Sequence, residues 1–259
     1  MAHISTYRNR FPNIEIDRDS EGVTLVRVQE VDGGPLKWGA DPGEIHEQLG
    51  EAFYQIGRDR DNRVMIFTGS GDNFCMARDP KKMRHIHGPE HTYRLLRLAR
   101  DLLVNLLEID ATVISAANGP AMYHPELLVV ADVVLATPET WFQDSHIRDR
   151  MVPADGCQIV WQELLGVTRG SYFLMMQEKL TAQAALGLGV VHEIVPGPEL
   201  LPRAYAVAKQ LLENSASTLR YSRVALTQTL KERLARELAG GLHAEFLSAG
   251  GEGGFRPVT

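Results

Sequence analysis

Cysteine is nearly absent: Cys75 and Cys157 are the only two in 259 residues. They lie far apart, form neither a metal-ligand spacing nor a disulfide framework, and suit a reducing compartment. No apolar stretch approaches the ~18–20 residues that a bilayer span needs. The first ten residues hold no apolar signal core. A cytoplasmic protein without a membrane partner is the expectation. Basic charge is not in excess, with 27 Lys and Arg against 33 Asp and Glu. No dense basic patch appears, which argues against nucleic acid as a partner. Several chemical signatures are also missing. There is no Gly-x-Ser-x-Gly elbow, no phosphate-binding Walker loop and no dinucleotide fingerprint. The histidines do not have zinc-like spacing, and His85-Ile-His87 reads as a surface pair. What remains is acid–base chemistry with no cofactor and no metal.

What is present is ordinary globular composition, 44% hydrophobic and 23% charged. The length suits one large domain, or one with a small appendage. The first half alternates apolar β-branched runs with amphipathic ones. The pattern predicts strands over 23–29, 64–68, 112–117 and 133–137, with a short strand at 141–142. Between them it predicts helices over 44–56, 90–107 and 126–131. Beyond Pro153 it predicts helices alone, over 157–165, 168–176, 181–186, 199–213 and 216–239. This is an α/β core followed by a helical region. We divide it into a core at 1–195, a helical part at 196–249 and a Gly-rich tail at 250–259 that is expected to be disordered.

The most informative stretch is Asn118-Gly119-Pro120-Ala121-Met122-Tyr123-His124-Pro125-Glu126. A strand enters a Gly-Pro turn and a helix leaves it, so backbone N–H groups face whatever occupies the turn. The turn also carries a histidine and a carboxylate, suitable for stabilising an oxyanion and moving a proton. Glu126 also reads as a first-turn carboxylate favoured by the helix dipole. Four further ionisable residues stand out: His46, His146, Asp155 and Glu245. Each has a plainer reading. His46 sits on an amphipathic helix as an edge histidine, and His146 in a solvated loop. Asp155 suits a cap for the helix that follows, and Glu245 a solvated charge on a late helix. A histidine becomes a good base near neutrality when a carboxylate orients it.

Phe67 to Asp79 (FTGSGDNFCMARD), Ala116 to Asp132, Phe142 to Gly156 and Leu180 to Val191 occur in an order that resembles the crotonase (enoyl-CoA hydratase/isomerase) superfamily. The resemblance covers roughly residues 15–245. It implies a ββα spiral core with a C-terminal helical trimerisation region, and a homotrimer or dimer of trimers with Glu245 near a subunit interface. In that family two backbone N–H groups, here at the positions of Arg78 and His124, bind a thioester enolate oxygen. Glu126 matches one acid–base glutamate, and His146 falls where hydratases carry the other. This chain departs from the pattern at the turn: Met122-Tyr123-His124 replaces a glycine cluster, with one residue fewer. The departures resemble the β-diketone hydrolase branch, which includes 6-oxocamphor hydrolase. Its active-site set falls on Trp38, His46, His124, His146, Asp155 and Glu245.

That branch implies cofactor-independent retro-Claisen hydrolysis of a cyclic or bicyclic β-diketone to a keto acid. His146 would be the base, oriented by Asp155. His124 and Trp38 would hold a carbonyl oxygen, and His46 with Glu245 would form a second pair. Arg78 or Arg148 would meet the product carboxylate, with Tyr123 beside the substrate. Two alternatives stand beside this reading: a thioester hydratase or isomerase using Glu126, and a non-catalytic binding module.

Overall fold

The computed structural model describes residues 2–82 and 89–249. His85, His87 and the 250–259 tail therefore lie outside the described residues. The chain runs β1 (Ile14–Arg18), β2 (Val23–Val28), β3 (Leu36–Trp38), α1 (Ile45–Arg58), β4 (Val64–Gly69), β5 (Cys75–Arg78), α2 (Pro89–Glu108), β6 (Thr112–Ala117), α3 (Glu126–Val129), β7 (Val133–Ala136) and β8 (Trp141–Phe142). It continues through α4 (Cys157–Leu165), α5 (Val167–Met176), β9 (Leu180–Thr181), α6 (Ala182–Gly187), β10 (Glu193–Ile194), α7 (Gly197–Leu212), α8 (Ala216–Leu226) and α9 (Gln228–Ala249). No helix of the described residues is long and apolar enough to cross a membrane.

The large sheet has the order β1-β2-β4-β6-β7-β10 and is parallel except for the β1–β2 pair. Its central strands, Val64–Gly69 and Thr112–Ala117, are buried at every position. That is why both are near-continuous apolar runs rather than alternating ones. The edge strand β1 alternates buried and exposed positions over its first four residues, as a strand with one wet face does. One face of the sheet is covered by the apolar stripe of α1 (Ile45, Leu49, Phe53, Ile56) against Leu102, Leu103 and Leu106 of α2. Those positions recur at helical spacing, and each buried side chain stabilises the fold by roughly 1.5–3 kcal/mol. The other face packs on Leu200, Ala204 and Ala208 of α7.

A second layer of short strands carries the chemistry. β3 pairs with β5, and β8 with β9. Ala121 bridges Cys75 on one side and Phe142 on the other, which joins the two pairs. The sequence pattern predicts neither β3 nor β5, nor β1, β9 and β10. β3, β5, β9 and β10 are two to four residues long, too short to build a periodic signal, whereas the Ile-Glu-Ile-Asp alternation of β1 is a signal that was passed over.

The C-terminal helices differ from expectation in two ways. The predicted helix over 216–239 is broken at Thr227, and α9 runs on through Gly240-Gly241 to Ala249. Gly241 is the reason α9 can pass where it does. A Cβ there would lie 2.4 Å from the carbonyl oxygen of Ala154. Leu234, Leu238 and Leu242 bury at i, i+4 and i+8, and Glu245 follows on the same face. Arg223 on α8 is buried, pairs with Asp132 at 2.6 Å and donates to the Ile109 carbonyl at 2.7 Å. It ties the helical region to the sheet.

Candidate active site

Trp38, His46, Arg78, Tyr123, His124, His146, Asp155 and Glu245 all line one cavity of about 100 Å³. The fold gathers them from both ends of the chain. Trp38 ends β3 directly opposite Arg78 of β5. His46 lies in the first turn of α1, and Asp155 just before α4. The loop after β8 supplies His146, and α9 supplies Glu245.

The turn between β6 and α3 is fixed independently of the chemistry. Met122 donates its N–H to the Cys75 carbonyl at 2.9 Å, which seats the turn on β5. The Asn118 side chain accepts from the Gly69 N–H at 3.1 Å and donates to the Asn73 carbonyl at 2.9 Å. Gly119 has φ +155°, and a Cβ there would sit 2.0 Å from the Asp72 carbonyl oxygen, so only glycine fits. His124 has φ +52°, a left-handed conformation that is uncommon away from glycine. Its backbone N–H has no hydrogen-bond acceptor among the described residues. The turn therefore keeps a glycine-like backbone while carrying an imidazole.

Three rings form one wall. Trp38 and His124 overlap with centroids 4.0 Å apart, and His46 lies 5.5 Å from each. His46 is buried, and neither ring nitrogen has a hydrogen-bond partner. Burial, then the neighbouring His124, pushes its pKa down to about 3. It is a neutral ring near neutral pH. His124 has its Nδ1 2.7 Å from Glu126 and 3.5 Å from Asp155. Burial alone would disfavour its charge, but Glu126 and then Asp155 more than offset that and raise its pKa. Burial, opposed by the His124 charge, leaves the Glu126 carboxyl above its usual range.

The second centre surrounds His146. Its Nδ1 lies 2.9 Å from Asp144, and its Nε2 lies 3.5 Å from Asp155 and 3.8 Å from Glu245. Burial opposes the imidazolium, yet Asp144 first and Asp155 next raise its pKa well above the ordinary histidine value. Burial also works against the Asp155 carboxylate, but His146 and then His124 hold it well below the usual range. Asp155 Oδ1 accepts the N–H of Cys157, the first residue of α4, at 3.3 Å, while Gly156 holds the cap position. Glu245 is pushed up to about 8 by burial and then by Asp155, and its Oε2 is buried without a partner.

The expected contact of Asp155 with His146 is present at 3.5 Å, and the geometry adds a second partner for His146 and corrects one pairing. The Nδ1 edge of His146 is held by Asp144, which the sequence reading did not single out, and Asp155 faces the opposite edge. His46 and Glu245 do not form a pair. His46 packs into the Trp38–His124 wall, while α9 lies on α2 and α4 and brings Glu245 to His146 instead. Arg78 stands 3.4 Å from Asp149 and over the Tyr123 ring at 5.9 Å. Arg148 contacts the Met122 sulfur at 3.1 Å and does not line the cavity. Three groups of the described residues are compact enough to hold a metal ion: Asp144–His146–Cys157, His124–Glu126–Asp155 and His146–Asp155–Glu245. In the first two a close histidine–carboxylate contact is already made, Asp144 with His146 at 2.9 Å and Glu126 with His124 at 2.7 Å.

A family model described as "Enoyl-CoA hydratase/isomerase" matches residues 42–247. A probable enoyl-CoA hydratase of Mycobacterium tuberculosis is 26% identical over 176 residues, which cover 65% of this chain and 62% of that protein. A carnitinyl-CoA dehydratase of Salmonella arizonae is 30% identical over 169 residues, 64% of each chain. Among solved structures, a β-diketone hydrolase from the cyanobacterium Anabaena, bound to (S)-3-oxocyclohexyl acetic acid, is 40% identical. It superposes with a TM-score of 0.89 over 93% of this chain and 96% of that one. An enoyl-CoA hydratase of Mycobacterium avium subsp. paratuberculosis has a TM-score of 0.80 at 18% identity, over 93% and 92% of the two chains, a likeness of fold. With the family match spanning most of its length and the fold to go with it, the chain belongs to the enoyl-CoA hydratase/isomerase family of the crotonase superfamily.

Proposed function

We propose that this protein is a cofactor-independent hydrolase that cleaves a C–C bond of a cyclic or bicyclic β-diketone and releases a keto acid. The observation that carries the reading is the convergence of His46, His124, His146, Asp155 and Glu245 with Trp38 on one cavity. The 40% identity to a β-diketone hydrolase structure holding a keto acid supports it.

The reaction needs a base for water, a cradle for an oxyanion and an acid for carbon. Between His146 Nε2 and Glu245 the site holds exchangeable protons. With one lost, the neutral His146 Nε2 faces the cavity as the base, with Glu245 3.8 Å away to exchange the proton. That base takes a proton from water as its oxygen adds to one carbonyl carbon. Trp38 and His124 stabilise the tetrahedral oxyanion. With Nδ1 given to Glu126, a protonated His124 ring, which Glu126 and Asp155 favour, would have an Nε2–H left to donate. Each such donor in a dry site supplies roughly 3–4 kcal/mol. Collapse breaks the C–C bond, and its electron pair moves onto the second carbonyl as an enolate. The neutral His46 ring donates to that oxygen. The proton taken from water returns to the enolate carbon, so the net change is one water added. Arg78 meets the new carboxylate.

A thioester hydratase is the second reading, favoured by the glycine-like backbone at His124. It requires Glu126 free to move a proton, and that carboxylate is bound to His124 at 2.7 Å and does not line the cavity. We also propose a homotrimer or dimer of trimers. The exposed apolar side chains of α5 and α8, among them Tyr172, Met175, Tyr221 and Leu226, would be covered in it.

The test is incubation with bicyclo[2.2.2]octane-2,6-dione, whose hydrolytic cleavage gives 3-oxocyclohexyl acetic acid, and separately with crotonyl-CoA. The keto acid without CoA, and no hydration of crotonyl-CoA, is the expected result. Turnover of crotonyl-CoA with a panel of diketones untouched would overturn the reading.

A further inference from the structure

We propose that Asp144 is the positioning residue of His146, fixing its ring with Nδ1–H held and Nε2 turned to the cavity. Asp155 then serves as a charge shared between His146 and His124. The inference rests on the functional reading above and assigns the orientation of its base.

Asp144 uses both oxygens on one residue. Oδ1 accepts the backbone N–H of His146 at 3.0 Å, and Oδ2 meets the ring Nδ1 at 2.9 Å. This is an Asx turn closed a second time by the ring, and it fixes backbone and side chain together. The Asp144 side chain is only 2% exposed, and no arginine or lysine pairs with it among the described residues. Apart from that one backbone N–H, the group facing this buried carboxylate is the imidazole it touches. Cys157 closes the same edge of the ring, its Sγ 4.0 Å from Nδ1. Asp155 stands differently. It lies 3.5 Å from Nε2 of His146 and 3.5 Å from Nδ1 of His124, beyond a good hydrogen bond to either. It also faces the nitrogen that must stay available to water. The groups around the ring are thus Asp144 and Cys157 on Nδ1, with Asp155 and Glu245 on Nε2 and the charge of His124 further on.

The test is nitrogen NMR of histidine-labelled protein without substrate, combined with kinetics. In wild type the neutral His146 ring, seen above its titration, is protonated on Nδ1. Asp144→Asn moves the proton to Nε2 and lowers the His146 pKa, while Asp155→Asn keeps it on Nδ1. Asp144→Glu restores the raised pKa in part. On a cleaved diketone, Asp144→Asn lowers kcat by about 10³-fold or more with KM little changed. An Nε2-protonated wild-type ring overturns the proposal, as does Asp144→Asn with tautomer and pKa unchanged. The NMR arm needs no substrate, so it stands if diketone hydrolysis fails. The wild-type tautomer alone decides it should a variant not fold.

Discussion

Glu245→Gln should make this protein more stable at neutral pH while disabling it. The carboxyl titrates near 4.5 in an ordinary environment and near 8 in the folded protein. Below pH 4.5 it is neutral in both folded and unfolded chains, and the shift costs nothing. Between pH 4.5 and 8 the unfolded chain ionises and the folded one does not. Folding is then disfavoured by about 1.4 kcal/mol for each pH unit. The cost reaches about 3 kcal/mol at pH 7 and levels off near ~5 kcal/mol above pH 8. Glutamine keeps the shape and cannot ionise, so it removes that cost. Urea unfolding of both proteins at pH 4.5, 7 and 8.5, followed by tryptophan fluorescence, measures it. The variant should match wild type at pH 4.5, gain about 3 kcal/mol at pH 7 and gain somewhat more at pH 8.5. A stability difference that does not change with pH, or a variant less stable at pH 7, would refute the argument that burial holds this carboxyl neutral. Activity should move the other way, because the proton exchanged with His146 is gone. Stability given up at a functional site is a common trade.

His46→Leu should make the protein more resistant to acid. Its ring titrates near 3 in the fold against 6.5 outside it. Wild-type stability is therefore full above pH 6.5 and falls as pH drops toward 3, by up to about 5 kcal/mol from this residue. Circular dichroism melts from pH 7 to 4 should show a shallower decline for the variant. Its kcat should fall by roughly 10²-fold, through loss of a donor to the enolate oxygen. An equal acid sensitivity in the two proteins would contradict the buried neutral ring. Gly119→Ala should yield no folded protein in a soluble-expression and circular dichroism comparison. Its Cβ has no space beside Asp72, and its φ is one that alanine avoids. A folded, active Gly119→Ala protein would show that the turn is not set by that contact.

The four inner strands of the large sheet were legible because they announce themselves: β4 and β6 are apolar runs buried on both faces. The layer that carries the site was not, since β3 and β5 are three and four residues long and take their shape from each other. Trp38, His46, Arg78, Tyr123, His124, His146, Asp155 and Glu245 all line the cavity, whereas the candidates Glu126 and Arg148 do not. Their partners escaped for physical reasons. Glu245 reads as a solvated charge if the helix stops at the Gly240-Gly241 pair. Carrying the Leu234, Leu238, Leu242 spacing one step further puts it on the buried face. Asp144 left a local signal, a carboxylate two residues before a loop histidine, but such pairs are common at turns. The mistaken His46–Glu245 pairing joins residues of α1 and α9. Which of several nearby groups two such helices bring into contact is decided by packing, which no local pattern records. Asp155 lies one residue before the Gly156 cap of α4, meets the Cys157 N–H with one oxygen and faces two histidines with the other.

The central claim is hydrolytic C–C cleavage by a base at His146. The most direct measurement is mass spectrometry of the diketone reaction run in H₂¹⁸O without CoA, for wild type and His146→Ala. The account predicts a keto acid carrying one ¹⁸O in its new carboxylate from wild type, and almost none from the variant. A product without ¹⁸O, or an undiminished rate in His146→Ala, would contradict it.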